Sequence, residues 1–230
     1  VPEVNPQDID LYKHKNIIAN PNCSTIQMLV ALKPLHDTFC VKHINVCTYQ
    51  AVSGSGKDGV EELLQQSSAY IDQRSIDKKV YPKQIAFNSI PFVDCFLENN
   101  YTREEMKMVW ETHKILDENI SVNPTAVRVP VLVGHAESIY IETEKEIDIE
   151  LAKNCLNEFA GISVIDDVQE VDFPTSFEHG HGTDDVYVGR IRKGLSKNNS
   201  LNLWVVADNV RKGAALNSIQ IAENLVGSEM

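Results

Sequence analysis

From Val41 to Val52 apolar and polar side chains alternate in a stretch rich in β-branched and aromatic types, until Ser53-Gly54-Ser55-Gly56 stops the pattern. A two-residue period of this length marks a half-buried strand, because successive side chains leave opposite faces of the pleated backbone. Upstream the period changes: Ile26, Leu29, Val30 and Leu32 recur at helical spacing behind Ser24-Thr25. The two periods keep exchanging along the chain, with no internal repeat and no low-complexity block. One domain containing both a sheet and helices is the simplest outcome.

The short apolar run Asn16–Ala19 reads as a strand that ends in the turn Asn20-Pro21-Asn22, which sets Cys23 at a strand-to-helix junction. Gly59–Ala69 reads as a helix, and Thr102 with Glu105 spells a capping box for another that ends near Asp117. Strands are expected at Thr125–Leu132 and Glu137–Glu142, joined through Gly134-His135, then a helix over Ile147–Phe159. Further strands are expected at Ile162–Val168, Asp185–Ile191 and Leu201–Ala207, and a last helix over Ala214–Val226. The resulting class is α+β, with a mixed, largely antiparallel sheet and helices packed on one face.

Composition narrows the function. Among 230 residues, 33 Asp and Glu outweigh 21 Lys and Arg for a formal charge of −12, which argues against a general nucleic-acid surface. Arg128 and Pro130 interrupt the apolar run Ala126–Val133, far short of the ~20 residues of a membrane helix, so no membrane partner is expected. Five irregularly spaced cysteines argue for a reducing compartment, and a cytoplasmic location is the default. The opening Val1-Pro-Glu-Val-Asn-Pro6 lacks a Met and a capping signal, as expected of a chain that starts inside a loop of something longer.

Cys23 is the most informative side chain. A thiol at a helix N-terminus feels the partial positive charge of unpaired N–H groups, which favours thiolate and makes it a candidate nucleophile. The ordinary alternative is a small buried hydrophobe, and Cys40, Cys47, Cys95 and Cys155 are read that way. By themselves, His135 reads as a histidine in a strand turn, Arg128 as a surface ion-pair partner, Gln50 as a solvent-facing strand residue, and Glu104 with Lys107 as a solvated helix face. Gly54, Gly56 and Gly59 spell Gly-x-Gly-x-x-Gly after a strand and before a helix, although no second parallel strand ends near Asp72 or Asp77 to complete a dinucleotide unit. His179, His181 and Asp184 lack a partner motif, so no metal site is assigned.

The stretch Asn20-Pro-Asn-Cys-Ser-Thr-Ile-Gln27 closely resembles the active-site loop of the aspartate-semialdehyde dehydrogenase family. Ala51-Val-Ser-Gly-Ser-Gly56, Glu104-Glu-Met-Lys107, Arg128 with His135, Val188-Gly-Arg-Ile-Arg192 and Asp208-Asn-Val-Arg-Lys-Gly-Ala-Ala215 recur in that family's order. The resemblance covers nearly the whole chain and implies a glyceraldehyde-phosphate-dehydrogenase-like C-terminal domain. Residues 1–208 would be the catalytic and dimerisation domain, and 209–230 a C-terminal helix packing on a nucleotide-binding domain that is missing here.

The roles it implies are these. Cys23 is the nucleophile, with Asn22-Cys23-Ser24 amides around the oxyanion; His135 takes and returns a proton; Gln50 orients the acyl intermediate. Arg128 binds the substrate's α-carboxylate, while Glu104, Lys107 and Asn22 also meet substrate. Ser53, Gly54, Gly56 and Asn209 lie at the nicotinamide. The reaction implied is reductive dephosphorylation of aspartyl phosphate to aspartate semialdehyde and phosphate through a cysteine thioester. It would use NADPH, bound mainly by the missing domain, for lysine, threonine and methionine biosynthesis in a homodimer or homotetramer. N-acetyl-glutamyl-phosphate reductase is the enzymatic alternative, disfavoured by Asn22 and Ser24 beside the cysteine. A non-catalytic dimerisation module with an inert Cys23 is the other.

Overall fold

The computed structural model describes residues 1–227, so the end of the expected 209–230 segment lies outside the described residues. Helix α1, Cys23–Phe39, is buried on almost every side, consistent with its nearly continuous apolar sequence. Asn22 caps its start, its side chain accepting from the Ser24 and Thr25 amides. Cys40 ends it in a left-handed conformation at φ 59°.

The strands are β1 Val41–Gln50, β2 Ser121–Arg128, β3 His135–Thr143, β4 Ile162–Val164, β5 Val186–Lys193 and β6 Ser200–Ala207. They form one sheet in the order β2-β1-β3-β6-β5-β4. The pairs β1/β2 and β4/β5 are parallel, and the other three are antiparallel. This is the expected mixed α+β sheet. Helices α2 Gly56–Ile71, α3 Arg103–Ile115, α4 Ile149–Glu158 and α5 Leu216–Gly227 complete the fold. The main core joins α1 to the sheet face bearing Ile44 and Val46, Ile139 and Ile141, Val186 and Val188, and Leu201, Leu203 and Val205. Pro124 falls in β2, at the sheet edge, where a residue without an N–H is tolerated.

Three expectations are corrected. First, the strand expected at Thr125–Leu132 is β2, Ser121–Arg128, and it does not neighbour β3, because β1 lies between them. The segment from Val129 to Gly134 instead crosses the C-terminal end of β1, with Val129 N–H donating to Gln50 at 3.0 Å and Val52 N–H to Val131 at 2.8 Å. Gly134, at φ 90°, makes the bend into β3, a conformation that side chains with a Cβ disfavour. Second, Asn16–Ala19 forms no strand: no neighbouring strand pairs with it, and Ile17 is 72% exposed. A 3-10 helix, Pro6–His14, precedes it. Third, the C-terminal helix does not begin regularly at Ala214. A single π-helical turn, Arg211–Ala215, comes first, with Gly213 N–H reaching Asp208 and Ala215 N–H reaching Val210, each at 3.0 Å.

That turn is anchored by Lys212, which is fully buried. Its Nζ donates to both oxygens of Glu3 and to Gln220 Oε1, all at 2.7 Å, and to Asn217 Oδ1 at 3.3 Å. Among the described residues no helix is long and apolar enough to cross a membrane.

Candidate active site

The crossing of β1 by residues 129–134 assembles the site. Arg128 ends β2 opposite Gln50, the last residue of β1, and His135 opens β3 on the other side of β1. Helix α1 presents Cys23 from its first turn, and α3 closes the group with Glu104. The capping box at Thr102 is formed as expected, with both reciprocal bonds present, and it fixes the start of α3.

Glu104 is the hub. It is 6% exposed, not part of a solvated face, and its Oε1 accepts from Asn22 Nδ2 at 2.8 Å and Gln50 Nε2 at 2.9 Å. Lys107 Nζ reaches its Oε2 at 3.3 Å and Asp94 at 3.5 Å. Asn22 therefore works twice: its oxygen caps α1, and its amide nitrogen ties α1 to α3. Glu111, one further turn along α3, accepts the Asn22 backbone N–H at 3.0 Å. Glu104, Lys107 and Glu111 share one helical face, so the spacing carried a signal for Glu111 that the sequence reading passed over.

Gly213 of the π-turn packs against the nucleophile candidate; a Cβ there would lie 2.8 Å from the Cys23 Cβ. Cys23 itself is half-buried. Its thiol is pushed up to about 12, first by burial and then by the negative charge of Glu104, against smaller lowering effects of the Ser24 amide and Arg128. The expected thiolate is thus a neutral thiol here. The helix N-terminus is real, but desolvation outweighs it.

Arg128 is buried and its Nη1 donates to the Ala51 carbonyl at 2.7 Å. His135 is fully buried; its Nδ1 accepts from the Ala51 N–H at 3.0 Å, and its Nε2 has no hydrogen-bond partner. Burial, followed by the Arg128 charge, holds the imidazole well below its ordinary pKa, so it is neutral. Two residues along β3, Glu137 is also fully buried and its carboxyl is held well above the usual range by desolvation. Gln27 lies beside it, yet neither carboxyl oxygen makes a hydrogen bond of good geometry. The sequence reading missed Glu137, because a glutamate inside an alternating strand looks solvent-facing.

At the rim, Ser53 Oγ and Asn209 are paired at 3.0 Å, and Asn209 Oδ1 accepts the Gly134 N–H at 3.0 Å. Gly54 lies directly over the site: a Cβ there would fall 2.8 Å from Arg128 Nη1 and 3.3 Å from His135 Nε2. This polar ledge above a bare backbone fits the flat amide-bearing end of a nicotinamide. Gly56 only turns the chain into α2, at φ 77°. Gly59 is packed on the Tyr81 hydroxyl and the Val52 carbonyl. His179 Nδ1 accepts the Thr175 amide at 3.1 Å, and Asp184 pairs with Arg211. Among the described residues no three His, Cys, Asp or Glu side chains converge as metal ligands.

The family described as "Semialdehyde dehydrogenase, dimerisation domain" matches residues 32–212. An aspartate-semialdehyde dehydrogenase of Shewanella violacea is 57% identical over 227 residues, covering 98% of this chain and 67% of that protein. The solved aspartate semialdehyde dehydrogenase II of Vibrio cholerae, complexed with ASA, superposes with a TM-score of 0.97 at 52% identity, covering all of this chain and 68% of that one. The Candida albicans enzyme solved with NADP gives 0.72 at 27% identity, over 98% and 65%. The chain spans about two thirds of the length of these relatives. It belongs to the semialdehyde dehydrogenase dimerisation-domain family.

Proposed function

We propose that this chain carries the nucleophile and acyl-substrate pocket of an aspartate-semialdehyde dehydrogenase, and that Cys23 forms a thioester with the 4-acyl group of L-aspartyl phosphate. The observation that carries the reading is one linked group of side chains: Asn22 at the start of α1 and Gln50 at the end of β1 share Glu104, and Arg128 and His135 are both fastened to Ala51, the residue after Gln50. In the acylation step the sulfur bonds to the acyl carbon and the carbon–oxygen bond to phosphate breaks. The thiol proton departs on the phosphate, so a thiol that is neutral when the pocket is empty can serve. Glu104, held by Asn22 and Gln50, faces the substrate's ammonium group. Arg128, a planar guanidinium, takes the α-carboxylate, and Lys107 the phosphate.

Ser53, Gly54 and Asn209 would hold the nicotinamide end of NADPH, which when bound would supply hydride chemistry to the acyl group on Cys23. The C-terminal helix exposes Ile219 and Val226, side chains that a nucleotide-binding domain would cover. The pathway served is the biosynthesis of lysine, threonine and methionine.

Incubation of the chain with L-aspartyl-4-phosphate tests the reading by mass spectrometry. One aspartyl group is expected on the Cys23 peptide, removable by hydroxylamine and absent from Cys23→Ser. The raised thiol pKa is the observation that favours the non-catalytic dimerisation module. That reading wins if Cys23 stays unlabelled, or if it is labelled no faster than the other four cysteines.

A further inference from the structure

We propose that Glu111 is a positioning residue for Cys23: standing on α3, it supplies the half of a capping box that α1 lacks, and so fixes the direction in which the sulfur is presented. This rests on Cys23 being the nucleophile of the proposed reaction and assigns Glu111 no contact with substrate.

A complete capping box is present in α3 itself. Thr102 Oγ1 accepts from the Glu105 N–H at 3.3 Å, and Glu105 Oε2 accepts the Thr102 N–H at 2.7 Å, so the capping residue is held by side chain and backbone together. At α1 only the first half is encoded locally. Asn22 Oδ1 accepts from the Ser24 and Thr25 amides at 3.0 and 3.2 Å, but the third helical position, where the returning glutamate belongs, is Thr25. The missing carboxylate arrives from 89 residues away: Glu111 sets both oxygens on the Asn22 N–H, at 3.2 and 3.0 Å. The buried Thr25 hydroxyl lies beside the same carboxyl. A negative group suits this place, because the start of a helix carries partial positive charge.

One tether would hold Asn22 without aiming it, and α3 applies two. Glu104 takes the side-chain amide at 2.8 Å and Glu111 the backbone N–H. The two glutamates are two turns apart, about 10 Å along the helix axis. Grips at separate points remove the pivot that either alone would leave, so the Asn22–Cys23 peptide is fixed in orientation relative to α3, and the Cα–Cβ bond of Cys23 follows from it. From the other side Cys23 meets Gly213, where a Cβ would lie 2.8 Å from its own. Attack of sulfur on an acyl carbon depends steeply on approach, and a misplacement of about 1 Å costs on the order of a hundredfold in rate. Arg128, Glu104 and Lys107, which the proposed reaction uses to bind substrate, have other partners in Ala51, Gln50 and Asp94. A change at Glu111 therefore falls on the rate at saturation rather than on binding.

The test combines acylation of Cys23 by L-aspartyl-4-phosphate in the full chain with hydrogen exchange at the Asn22 amide. In the unaltered chain that N–H is expected to be protected. Glu111→Asp keeps the charge but withdraws it by one methylene, whereas Glu111→Gln keeps the reach and an accepting oxygen without the charge. The Asp variant is expected to lose protection at Asn22 and to be acylated roughly tenfold or more slowly at saturating substrate, with the half-saturating concentration unchanged. The Gln variant is expected to keep both the protection and, within about threefold, the rate. An unprotected Asn22 N–H in the unaltered chain overturns the proposal whatever the variants do. So does an Asp variant that reacts at the unaltered rate, a loss carried by the half-saturating concentration, or a Gln variant as slow as the Asp one. Absence of acylation in the unaltered chain defeats the enzymatic reading instead, and the split capping box is then judged by exchange alone.

Discussion

Glu137 shows what burial does to one carboxyl. Its folded pKa is raised well above 4.5 by desolvation, so between the unfolded and folded values the native chain binds a proton that the unfolded chain has lost. Stability then falls as pH rises through that window, because stability changes with pH as the difference in bound protons. Glu137→Gln has the same shape and no proton to lose. It is expected to match the unaltered chain in thermal melting near pH 4 and to melt higher at pH 8, with the gap opening progressively between. An unchanged gap across the range would mean that Glu137 is ionised in the fold. Cys23 and His135 obey the same physics with opposite signs of charge: burial raises the thiol and lowers the imidazole, leaving both neutral.

At the level of elements, the start of α1 divides into two functions carried by one side chain. Asn22→Ala removes the cap, at a cost of about 1 kcal/mol, and also unties Glu104. Asn22→Asp keeps an oxygen for the Ser24 and Thr25 amides but sets a second carboxylate against Glu104. Denaturant unfolding is expected to show stability recovered in the Asp variant, while Cys23 acylation stays at the low level of the Ala variant. Recovery of both would mean that the tie to α3 is irrelevant. The helices and strands that bear strong periodicity were legible in sequence: α1, β1, β6 and the capping box of α3 appear close to their expected places. The connection of β2 to β3 was not, since nothing in Thr125–Glu142 signals that a third strand from earlier in the chain will enter between them. Arg128, His135, Cys23 and Gln50 could be named from the family resemblance, but their meeting depends on that insertion. The engagement of the cap amides was equally hidden, because whether an N–H is free depends on its neighbours across the fold.

The whole molecule presents a sheet with one face covered by α1 and the other bearing Tyr49, Ser138 and Trp204, the two rings 5.4 Å apart. Tyr49 is 36% exposed, and both rings lie where a second copy would pack in the homodimer we propose. Trp204→Glu is expected to shift sedimentation at micromolar concentration from a species of twice 25.8 kDa to the single chain. An unaltered chain that sediments at 25.8 kDa would rule the assembly out. The fold is also fastened far from that face. Glu3 and Lys212 stand 209 positions apart in the chain, yet their charges meet in the interior directly behind the turn that presses Gly213 on Cys23. Trimming the first few residues would leave the Lys212 ammonium with Gln220 and Asn217 but without its counter-charge, a defect of up to about 3–5 kcal/mol. An opening segment with no chemistry of its own thus becomes a remote brace for the sulfur.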